Sequence, residues 1–380
     1  LLLLHVSDTH LGKRQYNLES RENDLYEVFS QLVDLAIEER VDVVIHSGDL
    51  FDVNNPSNEA EMIAIRELSR LRDKGIPFIG IPGDHDTPKR RGLGRSVTVH
   101  DMLQTLGLIK VPELSEPIEV KGVTIYGKRH VPLLSEDSRT DFQKALRSLK
   151  PKGKSVLVLH QGVKELLPFD YAYQMSFSDI PMEITYAALG HFHDRLVMRR
   201  ENGSVVAIAG SPDIIDEREI EGYKRNGKGA WLVDLSKDEP SVTGLNVKLR
   251  PQDVIEVNTS SFEQDIIQKA PKPVGGKLPV LHLILKGEPI KKDVLMKKIA
   301  SLEGKVAEKI RIYKDNTYIL SEGFKDVSVV KGSLNDLIME YLIKREGYSP
   351  EDAKLILSLI ASDDEEEMKS ILRKFAGLEK

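Results

Sequence analysis

The sequence predicts an α/β fold, extended by a smaller α/β domain and a helical C-terminal segment. Three observations lead there. Short β-branched runs alternate with helical apolar stripes through the first half of the chain; the texture changes after Trp231–Leu235; and from Gly332 onward only helical periodicity remains. At 380 residues the chain is too long for one ordinary core and suits two or three domains. We place them at 1–240, 241–325 and 331–380.

Taken in order, Leu1–Val6 reads as a buried strand. It is too short for a membrane span and carries neither the charged leader nor the cleavage site of a signal peptide. Arg21–Glu39 follows, with Leu25, Val28, Phe29, Leu32, Val33 and Ile37 at helical spacing, and then a strand at Val41–Ile45. Asn58–Lys74 repeats the arrangement with Met62, Ile65, Leu68 and Leu71, ahead of a strand at Pro77–Ile81. Ser96–Leu106 gives a shorter helix. Strands come next at Val123–Tyr126, Ser155–Leu159, Thr185–Leu189 and Val205–Ala209. In the second region Arg250–Ile255 and Pro279–Leu285 are strands and Lys291–Ser301 a helix, with Pro271–Pro279 a flexible loop. The tail holds three helices. Ser333 caps the first, which carries Leu337, Ile338, Tyr341 and Leu342; Ser349-Pro350-Glu351-Asp352 opens the second; Ser362 and the acids up to Glu367 open the third.

Composition narrows the chemistry. Hydrophobic residues make up 40% of the chain and charged residues 30%, a soluble globular balance. There is no cysteine, so disulfides and thiolate metal sites are excluded and any metal must be held by His, Asp, Glu or Asn. Abundant Lys and Glu without Cys fit a heat-adapted cytoplasmic protein. The net charge of −6 excludes a generic polycation; nucleic acid would have to be met by local basic patches or bound cations.

Five short motifs each follow directly on one of the expected strands: Asp8-Thr-His10, Gly48-Asp49, Gly83-Asp84-His85-Asp86, His160 and Gly190-His191-Phe192-His193. Ligands gather beyond the carboxyl ends of strands in open α/β sheets, so the five can converge. Singly they are ordinary: a Gly-Asp after a strand is usually a turn, and a lone strand-end His is usually structural. Together they take five of the ten histidines and set four aspartates beside them. That donor set suits phosphodiester hydrolysis. Two cations roughly 3.5–4 Å apart can stabilise both the attacking and the leaving oxygen and supply hydroxide at neutral pH. A shared carboxylate must offset their repulsion, and Asp49 is the natural bridge. Asp8 with His10, and His191 with His193, have the alternate spacing that lets two side chains flank one ion. Mixed imidazole and carboxylate donors suit Mn²⁺, Fe or Zn²⁺ better than Mg²⁺.

These motifs resemble the signature of calcineurin-like metallophosphoesterases. The stretches Leu4-His-Val-Ser-Asp-Thr-His-Leu-Gly12, Gly48-Asp-Leu-Phe-Asp52 and Gly190-His-Phe-His193 are similar to nucleases of the meiotic-recombination-eleven type, whose bacterial counterpart is the SbcD nuclease. The resemblance is strong over residues 1–230 and rests on domain order beyond. It implies two facing sheets flanked by helices, a capping domain over 241–325 that takes part in DNA binding, and a tail over 331–380 that binds an SMC-like coiled-coil ABC-type ATPase. It also implies a homodimer acting on DNA ends in double-strand-break repair, as a 3′-to-5′ exonuclease and single-strand endonuclease, in the cytoplasm and at the nucleoid. Carried over by position, it gives one Mn²⁺ to Asp8, His10, Asp49 and His193, and a second to Asp49, Asp84, His160 and His191. His85 would help protonate the leaving oxygen. Two departures stand out. Asp84 replaces the family's Asn, adding a charge that should tighten cation binding and weaken its Lewis acidity. Asp52 stands where some relatives carry a His tied to exonuclease action.

Basic residues cluster near the motifs: Lys13 and Arg14; Lys89, Arg90, Arg91 and Arg95; Lys128 and Arg129. Most charge runs are only solvated surface, but these share a rim with a phosphate-cutting site, where they would grip phosphates. The stripes on Asn58–Lys74 and Ser96–Leu106 serve either a core or the family's four-helix dimer contact. His5, His46, His100, His130 and His282 lie outside the motifs and are read as structural. Two rival functions remain: another phosphodiesterase of the same fold, or a DNA-end-bridging scaffold with weakened catalysis. The C-terminal domain and tail argue against the first, and the complete ligand set against the second.

Overall fold

Leu3 and Leu4 are neighbours in sequence yet lie in different cores, because successive side chains of a strand point to opposite faces. In a computed structural model of the chain, which describes residues 1–88, 97–132, 136–167, 173–317, 338–339, 342–343 and 348–361, that alternation organises two sheets. The first joins β1 (Leu2–Val6), β2 (Val43–His46), β3 (Phe78–Gly80), β10 (Gly229–Asp234) and β11 (Ser241–Asn246) in the order β11-β10-β1-β2-β3. The second joins β4 (Ile118–Val120), β5 (Val123–Lys128), β6 (Ser155–Leu159), β7 (Tyr186–Leu189), β8 (Leu196–Arg199) and β9 (Val205–Ile208) in the order β4-β5-β6-β7-β9-β8. β1, β2 and β3 run parallel, as do β5, β6, β7 and β9. Parallel strands put their carboxyl ends on one edge, and the motifs leave from that edge.

Leu3, Val43, Ile45, Ile79, Val156, Val158 and Ala188 fill the space between the sheets. The opposite residues face outward onto helices. Leu4, Val44 and Phe78 meet α1 (Glu19–Glu38), α2 (Asn58–Asp73) and α3 (Val99–Thr105) through Phe29, Leu32, Leu68, Leu71 and Leu103. Leu157, Leu159 and Ile208 meet α4 (Glu136–Ser148) through Phe142 and Leu146. Strands covered on both faces read as unbroken apolar runs, which is why they stood out in the sequence. The exposed edge strand β11, rich in Ser, Thr, Gly and Asn, gave no such signal.

Helix ends follow local chemistry. Ser57 caps α2 by accepting from Ala60 N at 3.2 Å, and Thr98 with Asp101 forms a capping box at α3. The stripe on α2 divides between core and surface: Leu68 and Leu71 are buried, whereas Met62 is 70% exposed. α5 (Ile220–Asn226) precedes β10.

A third sheet, all parallel, has the order β12 (Gln252–Asn258), β13 (Val280–Lys286), β14 (Lys309–Asp315), packed on α6 (Phe262–Lys269) and α7 (Lys292–Leu302). It is fastened to the two-sheet body by buried charge. Asp24 on α1 accepts from Arg21 at 2.6 Å, Arg250 at 2.5 Å and Lys277 at 2.7 Å, and Arg21 also donates to Asp213 at 3.0 Å. The loop at Pro271–Pro279, expected to be flexible, is therefore pinned: Val274 bridges to Lys277, whose ammonium reaches Asp24 and Glu27.

The chain divides into two compact units, Leu1–Tyr318 and Ile319–Lys380. In the second, α8 (Pro350–Ala361) begins at the expected Ser-Pro start, with Ser349 Oγ accepting from Asp352 N at 3.0 Å. The helix expected from Ser362 lies outside the described residues, as does most of the one after Ser333. Among the described residues, no helix is long and apolar enough to cross a membrane.

Candidate metal centre

The five motifs begin where strands stop. β1 ends at Val6, β2 at His46, β3 at Gly80, β6 at Leu159 and β7 at Leu189. Backbone bonds lace the loops together: Asp8 N donates to Gly48 O at 2.9 Å and His10 N to Asp49 O at 3.1 Å. Asp86 ties in the third loop, accepting from Gly83 N at 2.9 Å, Phe51 N at 2.9 Å and Leu50 N at 3.2 Å. Both oxygens of Asp8 lie 3.2 Å from the backbone N–H of His191, so a loop of one sheet is bonded to a loop of the other.

This lacing demands unusual backbone. Asp8, His10, Asp49 and His191 have φ of 51°, 43°, 56° and 81°, in the left-handed region that side-chain-bearing residues avoid. The motif glycines allow close approach. A Cβ at Gly48 would sit 2.2 Å from His160 Nδ1, and one at Gly83 would sit 2.1 Å from Asp49 Oδ1.

The side chains form two groups around one carboxylate. Donor atoms of Asp8, His10 and His193 lie within 4.8 Å of one another, as do those of Asp84, His160 and His191. In the second group Asp84 Oδ1 is 3.0 Å from His160 Nε2 and 3.1 Å from His191 Nδ1. Asp49 faces both: its Oδ2 is 3.2 Å from His160 Nε2 and 3.8 Å from His10 Nε2. All seven residues expected as ligands are thus brought to one place. They also fit a divalent cation. His10 is 1% exposed, and among the described residues its Nε2 has no hydrogen-bond partner, an arrangement that costs free energy unless something else takes the lone pair. His160 donates Nδ1–H to Ser47 O at 2.8 Å, which leaves Nε2 on the carboxylate side.

Electrostatics separates His160 and His193 from the histidines outside the motifs. Burial pushes the Asp49 and Asp84 carboxyls up, but His160 beside both outweighs it and holds them well below the usual range. Burial works against charge on His160 and His193 too, yet Asp49 and Asp84 lift the first, and Glu219 and Asp8 the second. Outside the motifs burial wins: it pushes His5 down to about 3 and His282 to about 4, and lowers His46, His100 and His130. Several of these neutral rings prop the loops. His5 bonds Ser47 Oγ at 2.9 Å, His46 Nδ1 accepts from Gly48 N at 3.3 Å, and His130 donates to His160 O at 3.1 Å.

His85 borders the cleft with His10, Lys13, His191, Phe192 and His193. Its backbone N donates to Asp49 Oδ1 at 2.9 Å and its Nδ1–H to Asp52 O at 2.7 Å, and among the described residues nothing hydrogen-bonds Nε2; the side chain is 37% exposed. Of the expected DNA-gripping cations, Lys13 pairs with Asp52 at 3.0 Å and Arg14 with Glu22 at 2.5 Å. Lys89, Arg90, Arg91 and Arg95 lie outside the described residues.

Two carboxylates escaped the sequence reading. Asp52, noted only as a departure, has Oδ1 3.2 Å from His10 Nδ1. Burial pushes it up, but the His10 ring and the Lys13 ammonium hold it at about 2. Glu219 Oε1 accepts from His193 Nδ1 at 2.8 Å, and its Oε2 accepts from Lys228 at 2.5 Å. Glu219 sits in the acidic run Asp216–Glu219, which carries no motif and reads as surface.

The calcineurin-like phosphoesterase family model matches residues 1–195. A "DNA double-strand break repair protein Mre11" from Saccharolobus solfataricus is 46% identical over 99% of this chain and 99% of its own. The chain belongs to the Mre11 group of the calcineurin-like phosphoesterases. Relatives bearing the same name in Sulfolobus acidocaldarius, at 46% identity over 99% of each chain, and in Methanococcus maripaludis, at 31% over 90% of this chain and 91% of its own, extend the group. Among solved structures, a dimetal phosphatase from Danio rerio aligns over 64% of this chain and 98% of its own, at 10% identity and a TM-score of 0.41. Membership implies a divalent-metal phosphoesterase, and the donor set fits one.

Proposed function

We propose that the chain is a Mn²⁺-dependent DNA nuclease that processes double-strand-break ends, as a 3′-to-5′ exonuclease and a single-strand endonuclease. One observation carries the reading: two groups of imidazole and carboxylate donors share Asp49 beside an open cleft, in a chain whose full-length relatives are named for double-strand-break repair. Asp8, His10, Asp49 and His193 would hold one Mn²⁺, and Asp49, Asp84, His160 and His191 a second. Bound there, the cations would polarise the phosphate and supply hydroxide at neutral pH. The protein's own groups do the rest. His85 offers Nε2 to the leaving oxygen as a proton donor. Lys13 and Arg14 exchange their ion pairs with Asp52 and Glu22 for phosphates, so binding should tolerate sequence and weaken with salt. Asp84 raises the carboxylates around the cations to three, which favours tight binding over Lewis acidity.

In this reading residues 1–240, together with β11 (Ser241–Asn246), which belongs to the first sheet, are the nuclease domain, the rest of 241–325 the capping domain that helps hold DNA, and 331–380 the segment that binds an SMC-like coiled-coil ABC-type ATPase. The protein works as a homodimer. Asp8→Ala or His193→Ala should abolish Mn²⁺-dependent cleavage of linear DNA and lower metal content while the circular dichroism spectrum is kept. Wild-type cleavage by either variant would refute the assignment.

A further inference from the structure

His193 is gripped at both ends by one buried cluster. On the ring side, Nδ1 donates to Glu219 Oε1 at 2.8 Å. On the backbone side, its carbonyl accepts from Lys228 Nζ at 3.0 Å and from Ser211 N at 3.1 Å. The two grips are joined. Lys228 Nζ also donates to Glu219 Oε2 at 2.5 Å and to Ser211 Oγ at 2.6 Å, and Ser211 Oγ lies 2.8 Å from that same Glu219 oxygen. Glu219, Lys228 and Ser211 are all buried.

A carboxylate and an ammonium are costly to bury, and the fold keeps them together with their hydrogen-bonding capacity used. α5 sets their spacing: Glu219 directly precedes its first residue, and Lys228 follows it by two positions. A lone stabilising ion pair would not need to converge on one histidine from two sides. With Nδ1–H committed to Glu219, the ring's lone pair is confined to Nε2, and Nε2 is the atom that faces Asp8, 3.9 Å from its Oδ1.

We propose that Glu219, held by Lys228 and Ser211, is a positioning residue that fixes the tautomer and orientation of His193 and thereby sets the affinity of the Asp8–His10–His193 group for its cation. The proposal rests on the metal-site reading given above, and its test separates the two. Lys228 has a specific part in it. It neutralises Glu219, so the carboxylate is kept as an acceptor aimed at the ring and is not drawn into the cation site.

The test is calorimetric titration of metal-stripped, full-length protein with Mn²⁺, comparing the wild type, Glu219→Ala, Glu219→Gln and the double variant Glu219→Leu/Lys228→Met. Glu219→Ala should weaken one class of Mn²⁺ binding by roughly 10–100-fold. Glu219→Gln retains an oxygen acceptor for Nδ1–H and should lose less. A residue that merely packs would not move the tautomer, so nitrogen-15 spectra of the metal-free protein at alkaline pH add a readout independent of activity. His193 should be the Nδ1–H form in the wild type and a mixture in Glu219→Ala. If Glu219→Ala does not fold, Glu219→Leu combined with Lys228→Met decides, since it removes both buried charges and the acceptor for Nδ1–H while nearly keeping the volume. Folded variants that bind Mn²⁺ like the wild type, with His193 still in the Nδ1–H form, would overturn the proposal. A wild-type chain that binds no Mn²⁺ would overturn the metal-site reading, and this proposal with it.

Discussion

His85 is anchored at three places without being used up. Its backbone N–H goes to Asp49, its Nδ1–H to the Asp52 carbonyl, and its ring packs edge-on against His10 at 4.8 Å between centroids. Its donor atoms also fall within reach of Asp49 and Asp84, so a supporting role in cation binding is the alternative to proton transfer. The two differ in what a substitution removes. As a proton donor, His85→Gln should keep Mn²⁺ affinity and lose roughly 10²–10⁴-fold in turnover. Steady-state cleavage measured over a wide range of Mn²⁺ concentration distinguishes them, because restoration of near wild-type rate by excess metal would place His85 in the binding role. At this scale the sequence was most legible for residues directly after strands, where a motif has a fixed place. It was silent on Glu219, since a carboxylate 26 residues from the histidine it supports belongs to no local pattern.

Between elements, the junction of α1 with the third sheet turns on Asp24, which is buried and accepts from three cationic side chains. Burial pushes its carboxyl up, but Arg250, Arg21 and Lys277 together hold it below the ordinary range. A carboxyl depressed on folding adds stability that is in place above its unfolded value of about 3.9 and is lost as pH falls through the folded value. Asp24→Asn should therefore cost roughly 3–5 kcal/mol near neutral pH. The gap in melting temperature between variant and wild type should shrink on going to about pH 3; a gap of constant size would show that the ion cluster is not its source. Elements that alternate cleanly or carry a full helical stripe could be placed from sequence. α4 and α6 could not: α4 is mostly polar, with only Phe142 and Leu146 buried, and α6 spans just two turns.

For the molecule as a whole, the open question was whether the stripes on α2 and α3 serve a core or an interface. They divide. Leu68, Leu71 and Leu103 are buried in the core, while Met62, Val97 and Leu106 are exposed. A polar residue at Leu103 would thus test stability, not assembly. Met62→Asp combined with Leu106→Asp should halve the mass seen by light scattering and leave the melting temperature nearly unchanged, if this face joins two copies. An unaltered mass would remove it as the dimer contact. Fold class and the order of layers were legible because strands buried on both faces are so apolar. The division of the helix stripes was not, because an apolar residue looks the same whether its partner belongs to its own chain or to another.

The pairing of β1 has a consequence for the protein's synthesis. Leu2–His5 lies between β2 and β10, registered against Trp231–Asp234 on one side and Val43–Ile45 on the other. β1 is thus completed by a strand translated long after it. A ribosome adds roughly 5–20 residues per second, so Leu2 waits on the order of 10–50 s for its partner to be made. A nascent chain that has just passed His193 already holds every motif residue, yet it lacks β10, Glu219 and Lys228. The strand order thereby delays a finished metal centre until almost the whole two-sheet body has left the ribosome, and an interrupted translation product is an unassembled phosphoesterase.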